Sequence, residues 1–216
     1  MNILIDCGTN LCQGLKDMVN RKSIDNTWKI YCIEANPEAC KHAERIIKSH
    51  FSALNVTLIH GAVTDHNNAC ALTMHVKDMG YIHHQVHSHL NYSQLSCIEL
   101  NDERNYWVGL ATNIMGDNHK PNVPEADLKK NVMHVPGVRL SDFVLRVSSA
   151  SDNVIIKMDI EGAEYEALQD LVNSAACKHV RELYVEWHAG MRHVTPDQSS
   201  LEARLREQGV AIHSWS

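Results

Sequence analysis

The segment Val154-Ile155-Ile156-Lys157-Met158 is apolar at positions that an extended chain turns to opposite faces. A strand that buries both of its faces needs packed layers on both sides. That is the condition of a parallel sheet in an α/β protein, whereas an antiparallel sheet can leave one face to water. A suitable layer follows at once: Leu168, Leu171, Val172 and Ala175 recur at the spacing of one helix face.

The same alternation runs through the first third of the chain. Ile3, Leu4 and Ile5 form an apolar run that stops at Asp6-Cys7-Gly8, and Leu15, Met18 and Val19 then recur at helical spacing. A second run, Lys29 to Ile33, ends at Glu34. Asn36 and Pro37 supply an N-cap and a first-turn proline, and Ala39, Ala43, Ile46 and Ile47 make the buried stripe of the helix they start. Val56 to His60 is a third strand, closed by Gly61. Near the other end, Leu183 to Trp187 reads as a strand, Thr195-Pro196 as a helix start, Gly209 as its stop, and Val210 to Trp215 as a closing strand.

These signals predict a Rossmann-like α/β fold: a doubly wound, mostly parallel sheet in a three-layer αβα arrangement, with an insertion between the two halves. The stretch from about 65 to 150 is less regular. Cys70 to Val76 and Val132 to Leu140 are its further strands, and Ser141-Asp142 would cap a short helix through Val144 and Leu145. A length of 216 residues suits one domain, 1–216, with about 77–131 as an insertion or lid.

Composition narrows the partners. A formal charge of −6 gives no general attraction for nucleic acid, and no apolar run is long enough to span a membrane. The start MNILIDCGTN lacks the basic region of a signal peptide, and the seven cysteines form no CxxC pair. Reduced thiols in a cytoplasmic protein are the expectation.

In an open parallel sheet the ligand lies beyond the carboxyl ends of the strands. The residues just past each run are Asp6-Cys7-Gly8-Thr9-Asn10, Glu34-Ala35-Asn36, Gly61-Ala62-Val63, Asp159-Ile160-Glu161-Gly162 and Glu186-Trp187-His188. Gly8 allows close approach of backbone to a ligand, and the helix start after it offers free N–H groups. Glu34 stands where an acid hydrogen-bonds ribose hydroxyls in nucleotide-type sites. Together they point to an adenosine-containing cofactor. NAD ranks lower, because the spaced G-x-G-x-x-G is absent. Read singly, Glu161 is a cap for a helix beginning at Gly162, His188 is a polar strand end, and a strand-end acid such as Glu34 supports no core.

The motifs IDCGTN, YCIEANP, HGAV, LSDF and IKMDIEGAEYEAL, in this order from about Asn2 to His188, resemble the FkbM family of S-adenosylmethionine (SAM)-dependent methyltransferases. The resemblance implies that Asp6, Gly8, Thr9 and Asn10 hold the methionine part of SAM. It implies that Glu34 and the neighbouring Ala35 bind at the ribose, and that Gly61, Ala62 and Val63 border the adenine. Asp159 and Glu161 would face the transferred methyl. One departure stands out: where the family carries a second loop glycine, this chain has Cys12, with Gly14 two residues on. A positive φ at Cys12 would cost about 1 kcal/mol or more.

For an acceptor, the resemblance implies a small molecule, with a hydroxyl of a sugar or another metabolite expected. Asp159, Glu161 and His188 are the candidate bases for its proton, His188 because an imidazole titrates near neutrality. Lys157 would reach an edge or pair with one of the acids. The insertion would border the acceptor; Tyr92, Tyr106 and Trp107 could stack on it or form a small core. Five of 15 histidines, His75, His83, His84, His87 and His89, crowd one window there. A divalent metal is the sharp reading of that window, and a solvated loop the plain one. The competing functions are a SAM-binding or metal-binding module without turnover, and methylation of a glycan or a nitrogen acceptor.

Overall fold

The computed structural model describes residues 1–75, 111–113, 130–188 and 197–215. Six parallel strands form the main sheet: β1 (Asn2–Cys7), β2 (Lys29–Glu34), β3 (Asn55–His60), β9 (Asn153–Met158), β10 (Val180–Val185) and β11 (Ala211–Ser214). Their spatial order is β11-β10-β9-β1-β2-β3, with every neighbouring pair parallel. The chain thus winds outward from β1 to β3, then crosses to the other side of β1 and winds outward again. The switch point falls between β1 and β9, where such sheets open a crevice.

Alternation along the central strands divides the core. Ile3, Ile5 and Cys7 of β1, with Val154, Ile156 and Met158 of β9, face one layer. There they pack with α3 (Leu140–Val147), α4 (Glu164–Asn173) and α5 (Gln198–Glu207) through Phe143, Leu168, Leu171 and Leu205. Leu4 and Ile155 face the opposite layer, made by α1 (Gln13–Lys22) and α2 (Pro37–His50) through Leu15, Met18, Ala43 and Ile46. The expected three-layer α/β sheet is present. Its strands are apolar on both faces because both faces are covered.

Asn36 does cap α2: its Oδ1 accepts the Ala39 N–H at 3.3 Å, and Pro37 is the first helical residue. The expected Ser141-Asp142 cap is corrected. Helix α3 starts at Leu140, its N-cap residue Arg139 makes no side-chain cap bond, and the Ser141 hydroxyl donates instead to Asp170. Asp142 accepts from the Asn67 side chain at 2.8 Å. Helix α5 is capped by Asp197, which accepts the Ser200 N–H at 2.9 Å; Thr195 and Pro196 lie outside the described residues.

The irregular middle forms separate small sheets. Ala62–Thr64 (β4), just past the third strand and its closing Gly61, pairs in parallel with Gly137–Arg139 (β8). Cys70–His75 (β5) pairs antiparallel with Ala111–Asn113 (β6) and with Lys130–Val135 (β7). The pairs Cys70 with Val135 and His75 with Lys130 bring the two ends of the intervening stretch side by side. His83, His84, His87, His89, Tyr92, Tyr106 and Trp107 lie outside the described residues, and for His75 only the backbone position is described.

Candidate active site

The loop after β1 is locked against β9. Gly8 has φ +75°, and a Cβ there would lie 1.8 Å from the carbonyl oxygen of Asp159. Only glycine fits. The close approach that this glycine permits is therefore to the protein's own backbone. The amides of the loop itself are likewise taken up within the protein. The amides of Gly8 and Thr9 donate to the Ile33 carbonyl at 2.9 and 3.2 Å, and that of Cys12 donates to the Thr9 carbonyl at 2.7 Å. The Asn10 and Leu11 amides donate to Glu34 Oε2 at 2.8 Å and to Gln13 Oε1 at 3.1 Å. Every amide from residue 8 to 12 is thus used to shape the loop.

Glu34 links two strand ends. Its Oε1 accepts the Asn36 N–H at 2.8 Å while Oε2 accepts that of Asn10. Burial raises its carboxyl above the ordinary range, against the two N–H donors. The reading that this acid supports no core is corrected: it is buried and ties the first loop to the second. Asp6 is fully buried, accepts the Thr9 hydroxyl at 2.5 Å, and lies 3.3 Å from the Lys157 ammonium. Ala62 and Val63 are buried, and Gly61 sits where a Cβ would come 2.7 Å from Val138.

Lys157, the one charged residue in its apolar strand, is 2% exposed. It donates to the Gly8 carbonyl at 3.0 Å and lies 3.8 Å from Asp159. Burial disfavours its charge, but Asp6 and Asp159 outweigh that and hold the ammonium above its ordinary value. Of the two expectations for this residue, pairing with the acids is the one realised.

Asp159, Glu161 and His188 do come together beyond β9 and β10. The His188 Nε2 lies 3.9 Å from Asp159, 3.7 Å from Glu161 and 3.8 Å from Glu186. One ligand atom from each of Asp159, Glu161 and His188 falls within 4.8 Å of the others, so among the described residues this group could surround a small cation. Glu161 has φ +55° and Gly162 +106°, a tight turn that projects the Glu161 carboxyl into the cluster. Burial, joined by the charges of Asp159, Glu164 and Glu186, pushes the Glu161 carboxyl up to about 7, with His188 pulling the other way. For His188, burial works against the charged ring. The bond to Glu164 and the charges of Glu164, Glu161 and Asp159 win, and its pKa rises to about 9. The imidazole is thus cationic at neutral pH, which corrects its reading as a group titrating near neutrality.

Glu164 escaped the sequence reading. It is fully buried at the first turn of α4, and its carboxylate accepts from Ile160 N at 3.1 Å, from Gly162 N at 3.0 and 3.2 Å, and from His188 Nδ1 at 2.8 Å. The cap read for Glu161 is corrected: the N-cap residue is Ala163, which makes no side-chain cap bond, and Glu164 instead holds the turn that precedes the helix. The helix begins at Glu164 and not at Gly162. A second acid three residues after the first in IEGAE was the available signal.

A model of the methyltransferase FkbM domain matches residues 6–211. The chain belongs to the methyltransferase FkbM family. No curated protein matches. Among solved structures the chain is similar to the methyltransferase FkbM from Methylobacillus flagellatus KT, with a TM-score of 0.40 and 14% identity over 83% of this chain. It spans 32% of that structure's chain. No helix of the described residues is long and apolar enough to cross a membrane.

The donor set can be tested against SAM. The buried Asn10 Oδ1 has no hydrogen-bond partner among the described residues, which leaves an acceptor at the loop for a ligand N–H or O–H. Each Glu34 oxygen accepts one amide and keeps a second lone pair. Both features fit a ligand rich in donors, as an aminoacyl-adenosine group is.

Proposed function

We propose that the chain is a SAM-dependent methyltransferase acting on a hydroxyl oxygen of a sugar or another small hydroxylated metabolite. One observation carries this reading. The glycine loop after β1 and the acidic cluster after β9 meet at the switch point of the sheet, bridged by Lys157 through Gly8 and Asp159. When bound, SAM supplies a methyl group made electrophilic by its sulfonium charge.

The chain's own residues do the rest. Asp6, Gly8 and Thr9 set the loop, and Asn10 offers its open acceptor to the methionine end. Glu34 takes the ribose hydroxyls with its remaining lone pairs, with Ala35 beside it, and Gly61, Ala62 and Val63 border the adenine. Asp159, Glu161 and His188 hold the acceptor in line with the methyl, where positioning contributes most of the rate. Glu161, with its carboxyl near 7, takes the hydroxyl proton, and the His188 cation keeps the neighbouring acids in place. Residues of about 77–131 choose the acceptor as an insertion of the single domain.

Calorimetry with SAM and with its demethylated product tests the cofactor, and isotopically labelled SAM with pools of hydroxylated acceptors tests transfer. Binding tighter than about millimolar together with label in a hydroxylated product is expected. The positive φ of +64° at Cys12 favours a second reading, a SAM-binding module without turnover. Binding without label in any pool is its signature, and absence of binding overturns both.

A further inference from the structure

We propose that Glu164 is a positioning residue of the acceptor site: its buried carboxylate holds the turn that carries Glu161 and orients the His188 ring with Nε2 toward the site. The proposal rests on the site reading above.

The geometry is specific. Glu164 accepts the Ile160 and Gly162 amides, on either side of Glu161, and the Nδ1–H of His188. One carboxylate therefore joins two arms that come from different strands, β9 and β10. It has no exposure to solvent, so it cannot itself meet an acceptor. Beside His188, the ring of Trp187 lies 5.0 Å from that of Tyr165, the residue after Glu164.

With Nδ1–H spent on Glu164, a proton can enter or leave the ring only at Nε2. That nitrogen faces Asp159, Glu161 and Glu186 at 3.7 to 3.9 Å, beyond direct hydrogen bonds and open to an inserted hydroxyl. Among the described residues the groups facing the ring are Glu164 from α4, Asp159 and Glu161 from the loop after β9, and Glu186 from its own segment. Lys157 is a nearby cation, paired with Asp159.

The substitution Glu164→Leu gives a sharp consequence. Oε1 of Glu164 is the oxygen that accepts both the Ile160 amide and the His188 Nδ1–H, so leucine leaves Nδ1 without its acceptor. The carboxylates of Asp159, Glu161 and Glu186 then face the ring at Nε2, and the neutral ring puts its proton there. Loss of the Glu164 charge also disfavours the doubly protonated ring.

Ring 15N NMR of His188 reads this directly. In the wild-type chain, above the ring's pKa of about 9, Nδ1 is expected to be the protonated nitrogen. In Glu164→Leu the proton is expected on Nε2, with the pKa lowered toward the ordinary 6.5. A wild-type ring protonated at Nε2 overturns the proposal, and so does a Glu164→Leu ring with unchanged tautomer. The wild-type measurement stands even where the variant fails to fold. SAM calorimetry on the same wild-type sample tests the proposed function alone, so the two failures are distinguishable.

Discussion

Gly14 faces the end of the Lys157 side chain so closely that a Cβ there would lie 2.7 Å from Cε and 3.0 Å from Nζ. The empty space at a helix start is what lets a buried ammonium reach the Gly8 carbonyl and two acids. The Gly14→Ala substitution should push the ammonium off these oxygens despite a better helix propensity. A loss of about 1 to 3 kcal/mol in urea unfolding is expected. Gly8→Ala should be worse, because its Cβ would meet backbone at 1.8 Å and φ is +75°. A stable, SAM-binding Gly8→Ala protein would contradict the locking of the two loops.

Removing the cation itself leaves Asp6 buried and charged without its partner. Lys157→Met should destabilise the fold by about 3 to 5 kcal/mol, the cost of breaking a buried pair on one side. The double variant Lys157→Met with Asp6→Asn should recover a large part of that loss. Chemical denaturation of the three proteins measures the coupling, and simple additivity would show that the two groups do not interact.

Glu34→Ala should weaken SAM binding at least about tenfold and also cost about 2 to 4 kcal/mol, since two loop amides lose their acceptor. Calorimetry and urea unfolding separate the two effects. Unchanged stability would contradict the tie between the loops.

Stability should fall as the medium turns alkaline. Glu161 and His188 both have raised values in the folded chain, about 7 against 4.5 and about 9 against 6.5. The folded protein therefore keeps protons that the unfolded chain has released. Their contribution is whole below the unfolded values and is lost as pH rises through about 7 for Glu161 and about 9 for His188. With solvent screening, the combined loss is roughly 1 to 3 kcal/mol. Unfolding midpoints between pH 5 and 9 check the slope, which Glu161→Gln with His188→Gln should flatten.

Cys12, at φ +64°, reverses the usual ranking of alanine and glycine. Cys12→Ala keeps the left-handed strain and loses a buried thiol, while Cys12→Gly loses the thiol and the strain. The glycine variant should be the more stable by about 1 kcal/mol in thermal or urea unfolding.

Much of the fold was legible because burial on both faces leaves a continuous apolar record. Ile3 to Ile5 and Val154 to Met158 read as strands, and Ala39, Ala43 and Ile46 read as a buried helix face. Asn36 and Pro37 marked a helix start through local chemistry alone. The site was legible as a set of strand ends: Asp159, Glu161 and His188 do converge. Glu164 was not, because in sequence it is one more acid in the first turn of a helix. Its burial and its bond to His188 depend on a residue 24 positions away. Likewise nothing local separates β4, three residues paired with Gly137–Arg139, from a loop.

By itself the sequence determined the layer architecture, since hydrophobic periodicity is set residue by residue and survives any detail of packing. It also determined which residues stand at the carboxyl ends of the strands. Only the tertiary structure decided what those residues do to one another. Whether Gly8 meets a ligand or Asp159, whether Glu34 is free or bound to two amides, and whether His188 is neutral or cationic all depend on distances between distant segments. Hydrogen bonding and charge coupling act over a few ångströms in space, and the order of residues along the chain does not record that separation.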